Sequence, residues 1–180
     1  MQQITDQATV TEPLLGDFGL VGKQPGSWLD HAAQDLISFG TDSRYVHAFV
    51  YVGNGRIVEA IRHVTISPVT DYEDITWSTG RLAPELTPSS SQRMAIATAA
   101  MSFVGQSYNL LDILAIALAQ PRLGRPVDGD ERWVKRLSDD HMQICSQLVV
   151  NANRLAGLPY FPGTLSGLVS PGDLGGLLRS

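Results

Sequence analysis

Of 180 residues, 43% are hydrophobic and 17% charged, proportions that suit one folded domain with a sizeable core rather than two. Thirteen Lys plus Arg against eighteen Asp plus Glu give a net charge of −5, which supplies no general attraction to a phosphate backbone or an anionic membrane. Nucleic acid is therefore excluded as the expected partner, and the single cysteine, Cys145, excludes both an intrachain disulfide and a cysteine-rich metal site.

Residues 1–13 are rich in Gln and Thr and end at Pro13, so they are expected to form a flexible arm ahead of a single domain over 14–180. The polar start lacks both a basic and an apolar signal region, which predicts synthesis in the cytosol without a Sec-type leader. A short apolar run between Gly16 and Gly22 predicts a strand of about four residues. Ser27 is placed to cap a helix over 28–39, where Trp28, Ala32, Leu36 and Phe39 recur at helical spacing before Gly40.

The clearest local signal follows. Residues 45–52 and 56–61 are β-rich runs around Gly53-Asn54-Gly55, the pattern of a β-hairpin. Val64, Ile66 and Val69 predict a further strand, and residues 71–91 read as the most irregular internal stretch. Residues 91–104 are helical by composition, with Met94, Ala97, Met101 and Val104 expected on one face and Gly105 at the end. A more apolar helix is expected over 110–118, then a Gly/Pro-rich connection over 121–130 and a helical turn over 133–137. The apolar run at 110–119 is ten residues long and contains Asp112, well short of the roughly 18 that a spanning helix needs, so no membrane span is expected. Residues 143–155 predict an amphipathic helix with Ile144, Leu148, Ala152 and Leu155 on one stripe and Cys145 in its first turn. The tail from Pro159 is expected to pack as irregular chain over the domain.

Cys145 at a helix start would meet unpaired backbone N–H groups and the positive end of the helix dipole, the placement that favours a thiolate nucleophile. The competing reading is a buried thiol that fills space. A cysteine nucleophile needs a base, and the base an orienting acceptor. His47 shares a strand face with Phe49 and Tyr51, and Glu59 shares one with Ile57 and Ile61. With the turn centred on Asn54, position 47 falls opposite about 61 and diagonal to 59, which lets the carboxylate reach the imidazole. A one-residue bulge in the turn would change that register. His31, His63 and His141 fit the base role less well, with His63 held as a reserve orienter. A zinc site from the histidines with Asp17 or Glu59 has no ligand spacing to support it, so no metal is expected. The absence of GxGxxG, Walker A and GxSxG patterns removes the usual dinucleotide, nucleotide and serine-hydrolase readings, and no cofactor is expected.

Gly16-Asp17, then Ser43-x-Tyr45-x-His47-Ala48-x-Val50-Tyr51-Val52-Gly53, then Ile57-Val58-Glu59-Ala60, then Gly105-x-x-Tyr108-Asn109, and last Ile144-Cys145-Ser146-x-Leu148-Val149 together resemble the circularly permuted branch of the NlpC-type papain-like cysteine hydrolases. The YiiX-like proteins and, more distantly, lecithin retinol acyltransferase belong to that branch. The resemblance runs from about residue 14 to 176, and its weight lies in the order strand-His, strand-Glu, helix-Cys. It implies an α+β papain-like fold with an antiparallel sheet packed against the cysteine helix. It implies Cys145 as nucleophile, His47 as general base and acid, and Glu59 as the group that orients His47. Tyr45, Tyr108, Asn109 and Ser146 are candidates for the substrate cleft, with ordinary packing as the competing reading. The implied reaction is acyl transfer from a peptide or other amide, or an ester, to Cys145, followed by hydrolysis. Loops 71–91 and 121–135 are the expected specificity loops. A wall-directed enzyme without a leader would need another way out, such as a place in a bacteriophage particle. The alternatives are a non-catalytic binding or structural module that docks a protein partner through the N-terminal arm or C-terminal tail, and a lipid acyltransferase or thioesterase with residues 110–118 lining a groove.

Overall fold

The computed structural model describes residues 12–22, 44–61, 63–106 and 140–179. The expected helix at 28–39, the apolar helix at 110–118, Tyr108, Asn109, the 121–130 connection and nearly all of the N-terminal arm lie outside the described residues, as do the side chains of His141 and Ile144.

Five strands form one antiparallel sheet among the described residues: β1 (Phe18–Gly22), β2 (Tyr45–Gly53), β3 (Arg56–Ala60), β4 (Val64–Pro68) and β5 (Thr76–Trp77), in the spatial order β4-β3-β2-β1-β5. With the helices α1 (Ser90–Ser102), α2 (Asp140–Leu155) and α3 (Pro171–Gly175), the fold is mixed α+β. No helix among the described residues is long and apolar enough to cross a membrane.

The β2–β3 hairpin turns through Asn54 and Gly55, both at positive φ, as a two-residue turn that matches strand twist requires. Gly53 pairs with Arg56, and a bulge then restores Tyr51 opposite Ile57, Val50 opposite Val58 and Phe49 opposite Glu59. The bulge thus exists, yet it leaves the register that a turn centred on Asn54 predicts.

Strand alternation sorts the apolar residues onto two sides. Phe18, Leu20, Ala48, Val50, Val58 and Ala60 join Ile96 and Ala100 of α1, Leu148, Val149 and Ala152 of α2, and Leu174 of α3 in the main core. Val21, Phe49, Ile57 and Tyr72 form a smaller cluster, edged by Tyr51, Val69, Ile75 and Trp77. Gly19 makes room for it, because a Cβ there would lie 2.3 Å from the Phe49 ring and 2.9 Å from Trp77.

Four expectations are corrected. The buried face of α1 carries Ile96, Ala97 and Ala100, while Met94, Met101 and Val104 are exposed; small side chains let this helix approach its neighbours closely, and the long methionines stay outside. The stretch 71–91 contains β5, whose two residues pair with Gly19 and Leu20, and a single 3-10 turn at Pro84–Leu86. The strand after the hairpin stops at Pro68, and Val69 opens a 3-10 turn instead. The tail is not wholly irregular, since Ser170 and Asp173 form a capping box that starts α3 with Pro171 in its first turn.

The chain before β1 is fixed by a buried carboxylate. Asp17, 1% exposed, accepts from Arg93 Nη1 at 2.7 Å, Ser78 Oγ at 3.2 Å, the Leu14 N–H at 2.6 Å and the Thr79 hydroxyl. Arg93 also donates to the Leu15 carbonyl. One ion pair with its hydrogen bonds therefore ties the entry to β1 to α1 and to the turn after β5.

Candidate active site

His47 pairs with Val21 across β1 and β2, and the next pair along is Gly22 with Tyr45, so the register shifts within this step. The irregularity separates two residues that simple alternation would place together. Tyr45 joins the main core, where its ring fills the space beside Gly175 and its hydroxyl oxygen accepts a hydrogen bond from Arg44. His47 stays on the opposite side, with the Phe49 ring 5.9 Å and the Tyr72 ring 5.6 Å away, centre to centre.

Glu59 stands opposite Phe49, one diagonal step from His47, and its Oε2 meets His47 Nε2 at 2.9 Å. Both residues are buried, at 4% and 2% exposure. Ser67 of β4 and the hydroxyl of Tyr72, the residue that follows the 3-10 turn, also hydrogen-bond the carboxylate. Burial alone would raise the Glu59 pKa, but the hydrogen bond and charge of His47, with the Ser67 and Tyr72 donors, hold it below the ordinary value.

The third member comes from α2, which packs against β2 and β3 and also against α1. Cys145 is fully buried and within side-chain hydrogen-bonding reach of His47. With Nε2 engaged by Glu59, Nδ1 is the ring nitrogen left to the sulfur. Burial opposes the imidazolium; the charge and hydrogen bond of Cys145, with the hydrogen bond and charge of Glu59, outweigh it and lift the His47 pKa to about 9. An imidazolium held between a carboxylate and a sulfur is the arrangement that activates a thiol without a metal.

The helix start is a correction. α2 begins at Asp140, so Cys145 lies in its second turn and not its first. The unpaired N–H groups of the first turn belong to residues 140–143. The helix dipole falls off beyond that turn, which leaves His47 as the main electrostatic partner of the sulfur.

The remaining sequence candidates separate from this centre. Ser146, next to Cys145, is fully buried and donates to the Val169 carbonyl, which secures the tail to α2. Asp17 is engaged with Arg93, Ser78 and Thr79, beyond the far end of β1 from Val21, the partner of His47. His63 is exposed. No three His, Cys, Asp or Glu residues among the described ones stand together as a metal site.

Two polar residues at the site escaped sequence reasoning. Ser67 alternates with Thr65, which pairs with Glu59, so hairpin arithmetic extended by one strand would find it. Tyr72 carries no such signal, because an irregular segment brings it to Glu59. A cavity of about 440 Å³ has Tyr51, Tyr72, Ile75 and Trp77 among its lining residues, so of the groups that bond to Glu59 Tyr72 reaches it. Set against protein-family models, curated proteins and solved structures, the chain matches none.

Proposed function

We propose that the chain is a cysteine hydrolase, an amidase or peptidase of the permuted papain-like type, with Cys145 as nucleophile, His47 as acid and base, and Glu59 as the orienting carboxylate. The observation that carries this reading is the buried succession Cys145, His47, Glu59, drawn from a helix and two strands and linked by hydrogen bonds. Core packing alone gives no reason to bury three ionisable groups in one line, because each ion costs several kcal/mol to desolvate.

The chemistry follows from the two ring nitrogens. The Cys145 thiolate attacks the acyl carbon, forming the C–S bond and a tetrahedral oxyanion. As that intermediate collapses, His47 gives its Nδ1 proton to the leaving amine and the C–N bond breaks. Neutral His47 then takes a proton from water, whose oxygen attacks the thioester; the C–S bond breaks and the thiolate returns. Throughout, Glu59 holds Nε2–H and thereby the ring plane. A peptide amide of the bacterial wall is one of the substrates that the resemblance implies, beside other amides and lipid esters.

One observation favours a second reading. Cys145 is fully buried, as a packing residue in a non-catalytic binding module would be. Iodoacetamide alkylation read by intact mass separates the two. The hydrolase reading expects modification of the folded protein that persists to about pH 6 and slows in His47→Ala. Alkylation only after unfolding, equal in both proteins, would overturn it. Incubation with peptidoglycan fragments and with short-chain thioesters then assigns the acyl group: release of wall peptide supports the amidase, and thioester cleavage alone favours the lipid acyltransferase or thioesterase.

A further inference from the structure

We propose that Tyr72 is a positioning residue of this site: its hydroxyl donates to Glu59 Oε2, the oxygen that His47 Nε2 also reaches, while its ring lies against the His47 imidazole. The inference rests on the hydrolase reading and adds to it a residue from outside the Cys-His-Glu set.

Three observations converge. Tyr72 is 5% exposed and sits in the aromatic cluster, its ring 5.0 Å from Phe49 and 5.6 Å from His47, each at about 30° between planes. Its main-chain N–H closes the 3-10 turn on the Val69 carbonyl, so the ring is delivered by a locally fixed backbone. Tyr72 also lines the cavity of about 440 Å³ while its hydroxyl bonds to Glu59, so one residue touches both.

A donor at this position does what packing cannot. The groups that face Glu59 are His47 from β2, Ser67 from β4, Tyr72, and, behind His47, Cys145 from α2; Asp71 acts on Tyr72 in turn. Burial, the Glu59 charge and the hydrogen bond to it keep the phenol protonated far above its ordinary range, so it donates at every working pH. A permanent donor favours the carboxylate over the carboxylic acid and fixes which oxygen His47 meets. Ionised Glu59 in turn sustains the imidazolium beside the sulfur.

The test is the pH profile of Cys145 alkylation, read by intact mass from pH 3 to 10, with the melting temperature recorded for every variant. Tyr72→Phe keeps the ring and removes the donor; its acidic limb is expected to move up by about one pH unit. In a Glu59→Gln background the same substitution is expected to move the limb no further. Site-specific 3,5-difluorotyrosine at position 72, a stronger donor on the same ring, is expected to move the limb the other way, which keeps the proposal testable if Tyr72→Phe folds poorly. A Tyr72→Phe limb that superimposes on wild type, or an equal shift with and without Glu59, would overturn the role, with any loss of melting temperature then a packing effect. A wild-type protein with no His47-dependent limb would instead overturn the hydrolase reading beneath it.

Discussion

Glu59 faces Phe49 across the β2–β3 ladder, yet its carboxylate bonds to His47, one diagonal step away, at 2.9 Å. Diagonal neighbours lie about 7–8 Å apart at their Cα atoms, within reach of a long side chain. Tyr72 touches both, its ring 5.6 Å from the imidazole and its hydroxyl on the carboxylate.

Replacing the charge of Glu59 tests what this contact contributes. Glu59→Gln keeps an acceptor but removes the negative charge that helps sustain the imidazolium. Alkylation of Cys145 at about pH 6 is expected to slow about tenfold, the equivalent of one pKa unit at His47. Glu59→Ala leaves the donors of His47 and Tyr72 without their buried acceptor and is expected to cost about 3–5 kcal/mol in urea denaturation.

The pH dependence of stability has a determined sign. The His47 pKa rises on folding from 6.5 to about 9, so its contribution is full below about pH 6.5 and is lost as pH climbs through 9. That shift corresponds to about 3 kcal/mol. Glu59 shifts down, so its contribution is present above about pH 4.5 and disappears as pH falls below it. Denaturation midpoints are expected to be highest between about pH 4.5 and 6.5. Cys145→Ala, which removes the partner that supports the imidazolium most, is expected to reduce the loss between pH 6.5 and 9.

The Asp17 cluster is expected to govern stability without touching the chemistry. Asp17→Ala strands Arg93, Ser78, Thr79 and the Leu14 N–H around an empty site. The expected cost is about 3–5 kcal/mol. The folded fraction is expected to alkylate at Cys145 with the wild-type pH profile, because the cluster lies beyond the end of β1 remote from Val21.

Two glycines at positive φ are expected to respond differently to alanine. At Gly16, φ is +80° and a Cβ would lie 2.6 Å from the Arg93 carbonyl oxygen, so backbone strain and a main-chain clash combine. At Gly55, φ is +67° with nothing within 4 Å, which leaves strain alone. Gly55→Ala is expected to cost about 1 kcal/mol and Gly16→Ala clearly more, with the difference read from paired melting curves.

The hairpin and its register were legible because they depend on local chemistry: Gly53-Asn54-Gly55 fixes the turn, and period-two alternation then places His47 and Glu59 on one face. The helix that carries Cys145 was legible for the same reason, although its start was placed at Gln143, past the Ser138-Asp139-Asp140 run whose residue types favour a helix start. Long-range packing decided the rest. β5 is two residues that become a strand only because β1 offers them an open edge. The inward face of α1 carries Ile96, Ala97 and Ala100, while Met94 and Met101, expected on the buried stripe, are exposed. The shift between Val21 and Gly22 carries Tyr45 away from His47, an event invisible to alternation. The sequence alone determined which residue types could form a thiol, an imidazole and a carboxylate in line, and put two of them in register. Only the tertiary structure brought α2 to the sheet and Tyr72 onto Glu59, because contacts between residues 13 or 98 apart follow from the packing of whole elements, which no local pattern encodes.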